Sequence, residues 1–162
     1  MEEPTEAWSM DLRDRRMWLA FLAVVSGLVP RLDEHHKRAV GISHHEFTVL
    51  VMIAEAEDAT AELSSIARRT GASLSRISHT VRRLERDGRL TLGRSARDAR
   101  ATTATLTEAG TELLERASRE GMAEVRRLVF DALTPQQQDA LAEISLALLH
   151  HWDPEDPHPW LR

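Results

Sequence analysis

The chain has 162 residues, 21 Lys/Arg against 26 Asp/Glu and no cysteine, a length that suits one domain or a small lobe with helical extensions. Without cysteine, disulfides, thiolate metal sites and cysteine-based peroxide sensing are excluded. The formal net charge of −5 argues on its own against nucleic acid, but residues 62–100 hold ten Arg and four Asp/Glu, a net of +6 that leaves −11 for the rest, and the local patch governs contact with a polyanion.

Residues 1–7 are acidic, include Pro4 and read as a loose end. A helix is expected from Trp8, carrying Leu12, Trp18, Leu19, Phe21, Leu22, Val25, Leu28, Val29 and Leu32. Between Met17 and Val29 it is apolar nearly all round, so every side must be covered; in a chain this small that implies a second subunit. The run falls short of the roughly 20 residues a bilayer requires. Mixed charges precede it and no cleavage signal follows, so a soluble cytoplasmic protein without membrane association is expected. Pro30 is a candidate kink. His35-His36-Lys37-Arg38 makes a polar exit and Gly41 a break. Ser43 caps a second helix bearing Phe47, Leu50, Val51 and Ile53, with Glu46 completing a capping box. Residues 55–60 read as an acidic connector.

Leu63, Ile66 and Ala67 mark a short helix capped by Ser64, and Gly71-Ala72 separates it from another. In that second helix Leu74, Ile77, Val81 and Leu84 form an apolar stripe, while Ser75, Arg76, Ser78, His79, Arg82, Arg83 and Arg86 occupy the remaining surface. Ser73 stands at the N-cap and Gly88 at the closing position. The pair is a helix-turn-helix pattern, with a recognition helix over 73–87 whose polar side suits a major groove about 12 Å wide. Beyond it, residues 89–93 and 101–106 alternate as two strands, a wing over 89–106 whose tip carries Arg94, Arg97, Asp98 and Arg100. Arginines there suit phosphates or the narrow, electronegative minor groove, and Asp98 is spaced to orient the Arg100 guanidinium. Thr107 caps a long helix with Leu113, Leu114, Ala117, Val125, Leu128, Val129 and Leu133, in which Gly121 is a candidate bend. Thr134 and Pro135 open a last helix with an apolar line of Leu141, Ile144, Leu148 and Trp152.

The run LSSIARRTGASLSRISHTVRRLERDGRL followed by RDARATTATLTEAG resembles the MarR family of winged-helix transcriptional regulators, in its recognition helix, its Asp-x-Arg wing tip and its following Leu-Thr-x-x-Gly. The similarity extends to residues 41–50 and to the terminal helices; Ala99 stands where many family wings carry an arginine. The resemblance implies a mainly α fold with a small antiparallel β wing (α+β): residues 1–34 and 107–152 as a helical dimerisation region, a winged helix-turn-helix lobe over 35–106, and a proline-rich tail over 153–162. It implies a homodimeric transcriptional regulator of double-stranded DNA, a repressor on an inverted-repeat operator, released by a small-molecule effector and needing no cofactor. The expected DNA contacts are Ser73, Ser75, Arg76, Ser78, His79, Arg82, Arg83, Arg94, Arg97, Asp98 and Arg100. Trp18, Phe21, His44 and Phe47 are the candidate effector pocket.

His35, His36, His44 and His45 flank one bend and raise a metal- or pH-responsive regulator as an alternative. Adjacent histidines on a helix project in different directions, and residues 107–133, where zinc-sensing family members place ligands, contain no histidine, so no metal site is expected. A helical interaction module without DNA binding explains the apolar helices and leaves the basic wing without a purpose. No Gly-x-Ser-x-Gly elbow, phosphate-cradling glycine loop or His-Glu-x-x-His occurs, so an enzyme is not expected.

Overall fold

The chain runs α1 (Leu12–Val40), α2 (His44–Ala54), β1 (Thr60–Glu62), α3 (Leu63–Thr70), α4 (Leu74–Arg86), β2 (Leu90–Arg94), β3 (Thr102–Leu106), α5 (Glu108–Leu128) and α6 (Pro135–Trp152). This is the order in the computed structural model, which describes residues 10–95, 98, 100–152 and 154. Two compact units are present, residues 1–121 and 122–162. The fold is mainly helical with one small antiparallel sheet in the order β1-β3-β2.

In the first unit the core is built from α2 to α5 and the sheet: Val49, Leu50 and Ile53 of α2, Ala61 of β1, Ile66 of α3, Ile77, Val81 and Leu84 of α4, Leu90 of β2, Ala104 of β3, and Leu113 and Ala117 of α5. Leu74, expected in the α4 stripe, is 53 % exposed, because it belongs to the first turn, ahead of the packed part of the helix. Thr80 takes a buried place instead, its hydroxyl satisfied by the Arg76 carbonyl at 3.0 Å.

The wing pairs Leu90 with Leu106 and Arg94 with Thr102. Its inner strand also pairs with β1, Thr60 opposite Thr105. The expected acidic connector is therefore partly a third strand. Asp58 and Ala59 turn the chain into it at φ 51° and 47°, a left-handed conformation that is uncommon outside glycine. Since β1 leads directly into α3, the N-cap is Glu62, without a side-chain cap bond; Ser64 lies inside the helix rather than at its start.

Local signals fixed most helix ends. Ser43 Oγ accepts the Glu46 N–H at 3.1 Å and the Glu46 side chain accepts the Ser43 N–H at 2.8 Å. Asp11 caps α1, accepting the Asp14 N–H at 2.7 Å. The helix then runs unbroken through Pro30 and through the histidine pair to Val40, so the expected boundary at 34/35 falls within one helix. Trp8 and the proline-rich tail, apart from Pro154, lie outside the described residues. The N-terminal two-thirds of α1 is exposed, including Met17, Trp18, Leu19, Phe21, Leu22, Val24, Val25 and Val29.

The second unit contains α6, opened by Thr134, whose Oγ1 accepts the Gln137 N–H at 3.3 Å while Gln137 Oε1 accepts the Thr134 N–H at 2.9 Å. No α6 residue is buried, and Leu141, Ile144, Leu146 and Trp152 are exposed. Among the described residues no helix is long and apolar enough to cross a membrane.

Thr107 joins the recognition helix, the wing and α5. Its hydroxyl donates to the Gly88 carbonyl at 2.8 Å and accepts the Gly110 N–H at 3.0 Å, while its own N–H donates to the Arg89 carbonyl at 3.2 Å. At Gly110 a Cβ would stand 2.1 Å from that same Arg89 carbonyl oxygen, a backbone atom that cannot swing aside. Gly110→Ala is therefore expected to lower stability by about 1–3 kcal/mol through overpacking, read as a fall in the urea midpoint at unchanged slope.

Candidate nucleic-acid interface

Ser73 caps α4, its Oγ accepting the Arg76 N–H at 3.2 Å. At the far end the Gly88 N–H donates to the Glu85 carbonyl at 2.9 Å and the Arg89 N–H to the Leu84 carbonyl at 2.8 Å, the paired bonds of a Schellman closure. Gly71, at φ 64°, makes the tight turn from α3 that glycine permits.

With Ile77, Thr80, Val81 and Leu84 buried, the rest of α4 divides into two faces. Ser75, Ser78, His79, Arg82, Glu85 and Arg86 line one concave outer surface. Arg76 and Arg83, seven residues apart and so two turns along one side, face the first turn of α2. Arg83 donates Nε–H and Nη2–H to Glu46 Oε1. Arg76 lies close enough to His45 to disfavour its protonated form. Thus the expected DNA-contacting set is split: Ser75, Ser78, His79 and Arg82 share the outer face, Arg76 lies at its border, and Arg83 is engaged within the lobe. Arg86 and Glu85 complete the outer surface and were absent from the expected set.

The wing tip is shaped by backbone bonds. The Ser95 N–H donates to the Ala101 carbonyl at 3.0 Å and the Ala101 N–H to the Asp98 carbonyl at 2.9 Å. Asp98 Oδ1 accepts the backbone N–H of Arg100 at 2.9 Å, so it fixes the path of the chain beneath Arg100 rather than the guanidinium. Ser95 Oγ–H donates to Glu62 Oε1 at 2.7 Å, tying the tip to β1. Arg94 and Arg100 are exposed, and Arg97 lies outside the described residues.

A capped helix with a polar outer face, followed by an arginine-tipped hairpin, is an arrangement for reading a DNA groove and gripping its backbone. The sequence model of the transcriptional regulators SarA/Rot matches residues 31–117. Among solved structures, Sco3205, a MarR family transcriptional regulator from Streptomyces coelicolor in complex with DNA, is 31% identical, with 94% of this chain and 99% of that one covered and a TM-score of 0.83. AbsC, a MarR family regulator from the same organism, is 26% identical over 91% of this chain and 99% of its own, with a TM-score of 0.81. The chain belongs to the MarR family. It is a DNA-binding transcriptional regulator. No curated protein matches it by sequence.

The four candidate effector residues of this MarR protein fall into two pairs. Trp18 and Phe21 have ring centroids 6.3 Å apart on the exposed part of α1. His44 and Phe47 are 6.0 Å apart and pack around the buried His36, which lies 5.3 Å from His44 and stacks on Phe47 at 4.6 Å. At 1.5 Å per residue, Trp18 is about 27 Å along α1 from His36, so one chain does not bring all four into one pocket. Of the histidines, His36 and His35 meet edge-on at 87°, and His36 Nδ1 bonds the Leu32 carbonyl at 2.9 Å. Among the described residues no group of three or more His, Cys, Asp or Glu is placed to hold a metal ion.

Burial is the largest cause that holds the His44 pKa below the ordinary imidazole value, reinforced by His36 and His45 and opposed by Asp33. His45 is lowered by burial first and then by Arg76. Both groups are thus harder to protonate folded than unfolded. Below the ordinary value of about 6.5 the unfolded chain takes up protons that the folded chain resists, so stability present above that value is lost as the pH falls through it. Urea unfolding at about pH 7.5 and about pH 5.5 should show a lower midpoint at the acid end, and His44→Phe should narrow the difference.

Proposed function

We propose that this MarR protein is a homodimeric repressor that binds an inverted-repeat operator through α4 and the wing and leaves it when a small-molecule effector binds. The observation that carries the reading is the outer face of α4, where Ser75, Ser78, His79 and Arg82 stand together on a helix whose opposite side is the lobe core. Ser73 and Arg76 at the helix start reach bases, Arg82 holds phosphate, and the wing offers Arg94, Arg97 and Arg100 to phosphates or the minor groove, with Asp98 shaping the loop beneath them. Sco3205, the Streptomyces relative, is a MarR family regulator solved in complex with DNA, which supports double-stranded DNA as the partner of this chain.

Dimerisation is argued from coverage. Eight large apolar side chains of α1 between Met17 and Val29 are exposed, as are Leu141, Ile144 and Trp152 of α6, and patches of that size are unusual on soluble monomers. A two-fold axis pairs the same surface with itself and leaves nothing open. It also presents two recognition helices to successive major grooves about 34–36 Å apart. An effector acts in this scheme only through different affinities for the DNA-competent and incompetent arrangements. His44 and Phe47 at the α1–α2 junction, and Trp18 and Phe21 on α1, remain its proposed contacts.

The test is selection from a random-sequence duplex library followed by binding across a salt series. A duplex with two related half-sites should emerge, and its affinity should fall steeply with salt. Arg76→Ala should weaken that duplex by about 1–3 kcal/mol and relax preference at one position. A folded monomer at micromolar concentration that binds a single half-site as tightly as the repeat would rule out the dimeric operator.

A further inference from the structure

We propose that Glu46 is a positioning residue for DNA reading, holding the recognition helix in its roll through Arg83, and that Arg83 works through this carboxylate and makes no phosphate contact. The inference rests on the DNA-reading assignment of α4 above.

Glu46 is only 2 % exposed, and a carboxylate so buried is costly unless its oxygens are satisfied. Its two oxygens serve two elements. Oε2 accepts the backbone N–H and the hydroxyl of Ser43, both at 2.8 Å, which closes the start of α2. Oε1 accepts Nε–H and Nη2–H of Arg83, a residue of the last turns of α4. A capping box needs only the first of these and works as well at a solvated helix end. The second bond extends the cap into a link between α2 and the DNA-reading helix.

The geometry gives that link a specific task. The apolar stripe of α4 holds the helix on the core, but hydrophobic contact is non-directional and tolerates small roll about the helix axis. A guanidinium fork on a fixed carboxylate is directional. The roll that this pair sets determines where Ser75, Ser78, His79 and Arg82, on the other side of α4, point. Arg83 commits Nε–H and Nη2–H to this carboxylate, and a phosphate contact that drew them away would leave a buried carboxylate bare, which costs more than an exposed ionic contact returns.

The experiment compares the full-length wild type with Glu46→Gln, Arg83→Gln, their double mutant and Arg82→Gln. The probes are the duplex selected by the wild type from a random library and an unrelated duplex of equal length. Glu46→Gln should weaken the selected duplex about tenfold and leave the unrelated one unchanged, although it removes a negative charge. Arg83→Gln should do the same without altering the slope of log affinity against log salt, whereas Arg82→Gln should reduce that slope by about one. The double mutant should be no weaker than the weaker single, since both remove one coupling. Equal or tighter binding by Glu46→Gln, or a slope reduced by about one in Arg83→Gln, overturns the proposal. Should Glu46→Gln fail to fold, the slope of Arg83→Lys decides alone, since lysine keeps a cation beside the Glu46 carboxylate without the guanidinium fork: an unchanged slope with weaker selected binding supports the proposal, and a slope reduced by about one overturns it. A wild type that selects no duplex defeats the DNA-reading assignment itself, and the positioning role with it.

Discussion

The polarity of α4 depends on three side chains. Ile77 and Val81 are completely buried and Leu84 nearly so, each contributing about 2 kcal/mol by burial. One residue of helical roll is about 100°, enough to draw all three toward water and turn Ser78 or Arg82 toward Leu50 and Ile53. The hydrophobic core thereby sets which side chains form the outer face of α4.

Around that helix, two of the four acidic residues inside the basic segment are put to internal use. Glu62 holds the wing through Ser95 and Asp98 holds the backbone of Arg100. Glu46, from outside the segment, takes Arg83. The basic surface is thus shaped by the carboxylates that reduce its formal charge. The same view explains Leu106-Thr107-x-x-Gly110: threonine supplies a hydroxyl and an N–H to consecutive carbonyls where the recognition helix ends, and glycine leaves room for the second of them.

Features written in short-range code were legible in the sequence. Caps at Ser43, Ser73, Thr107 and Thr134 need only a hydroxyl a few residues before an apolar period, and the α4 stripe repeats over three turns. Three-residue β1 has no such period: Thr-Ala-Glu becomes a strand only because β3 pairs with it. The same absence of local signal hides the Glu46–Arg83 pair, whose members are 37 positions apart. Asp98 was recognised as an orienting group, but its partner is a backbone N–H, which side-chain spacing cannot reveal. Pro30 is a candidate kink in the sequence, but the helix runs unbroken through it, which separates Trp18 from Phe47 along α1.

One ion pair on α1 has a chemical corollary. Lys37 is the only lysine in the chain, and it is bound to Asp33 at 2.7 Å, on a helix apart from α4 and the wing. Every permanently cationic side chain of the outer face of α4 and of the wing is a guanidinium, which does not undergo acylation as a primary amine does. Acetyl transfer to lysine therefore leaves the charge of that face untouched, and an amine-directed fluorophore placed on Lys37 would report from the α1–α2 junction without altering the outer face of α4 or the wing.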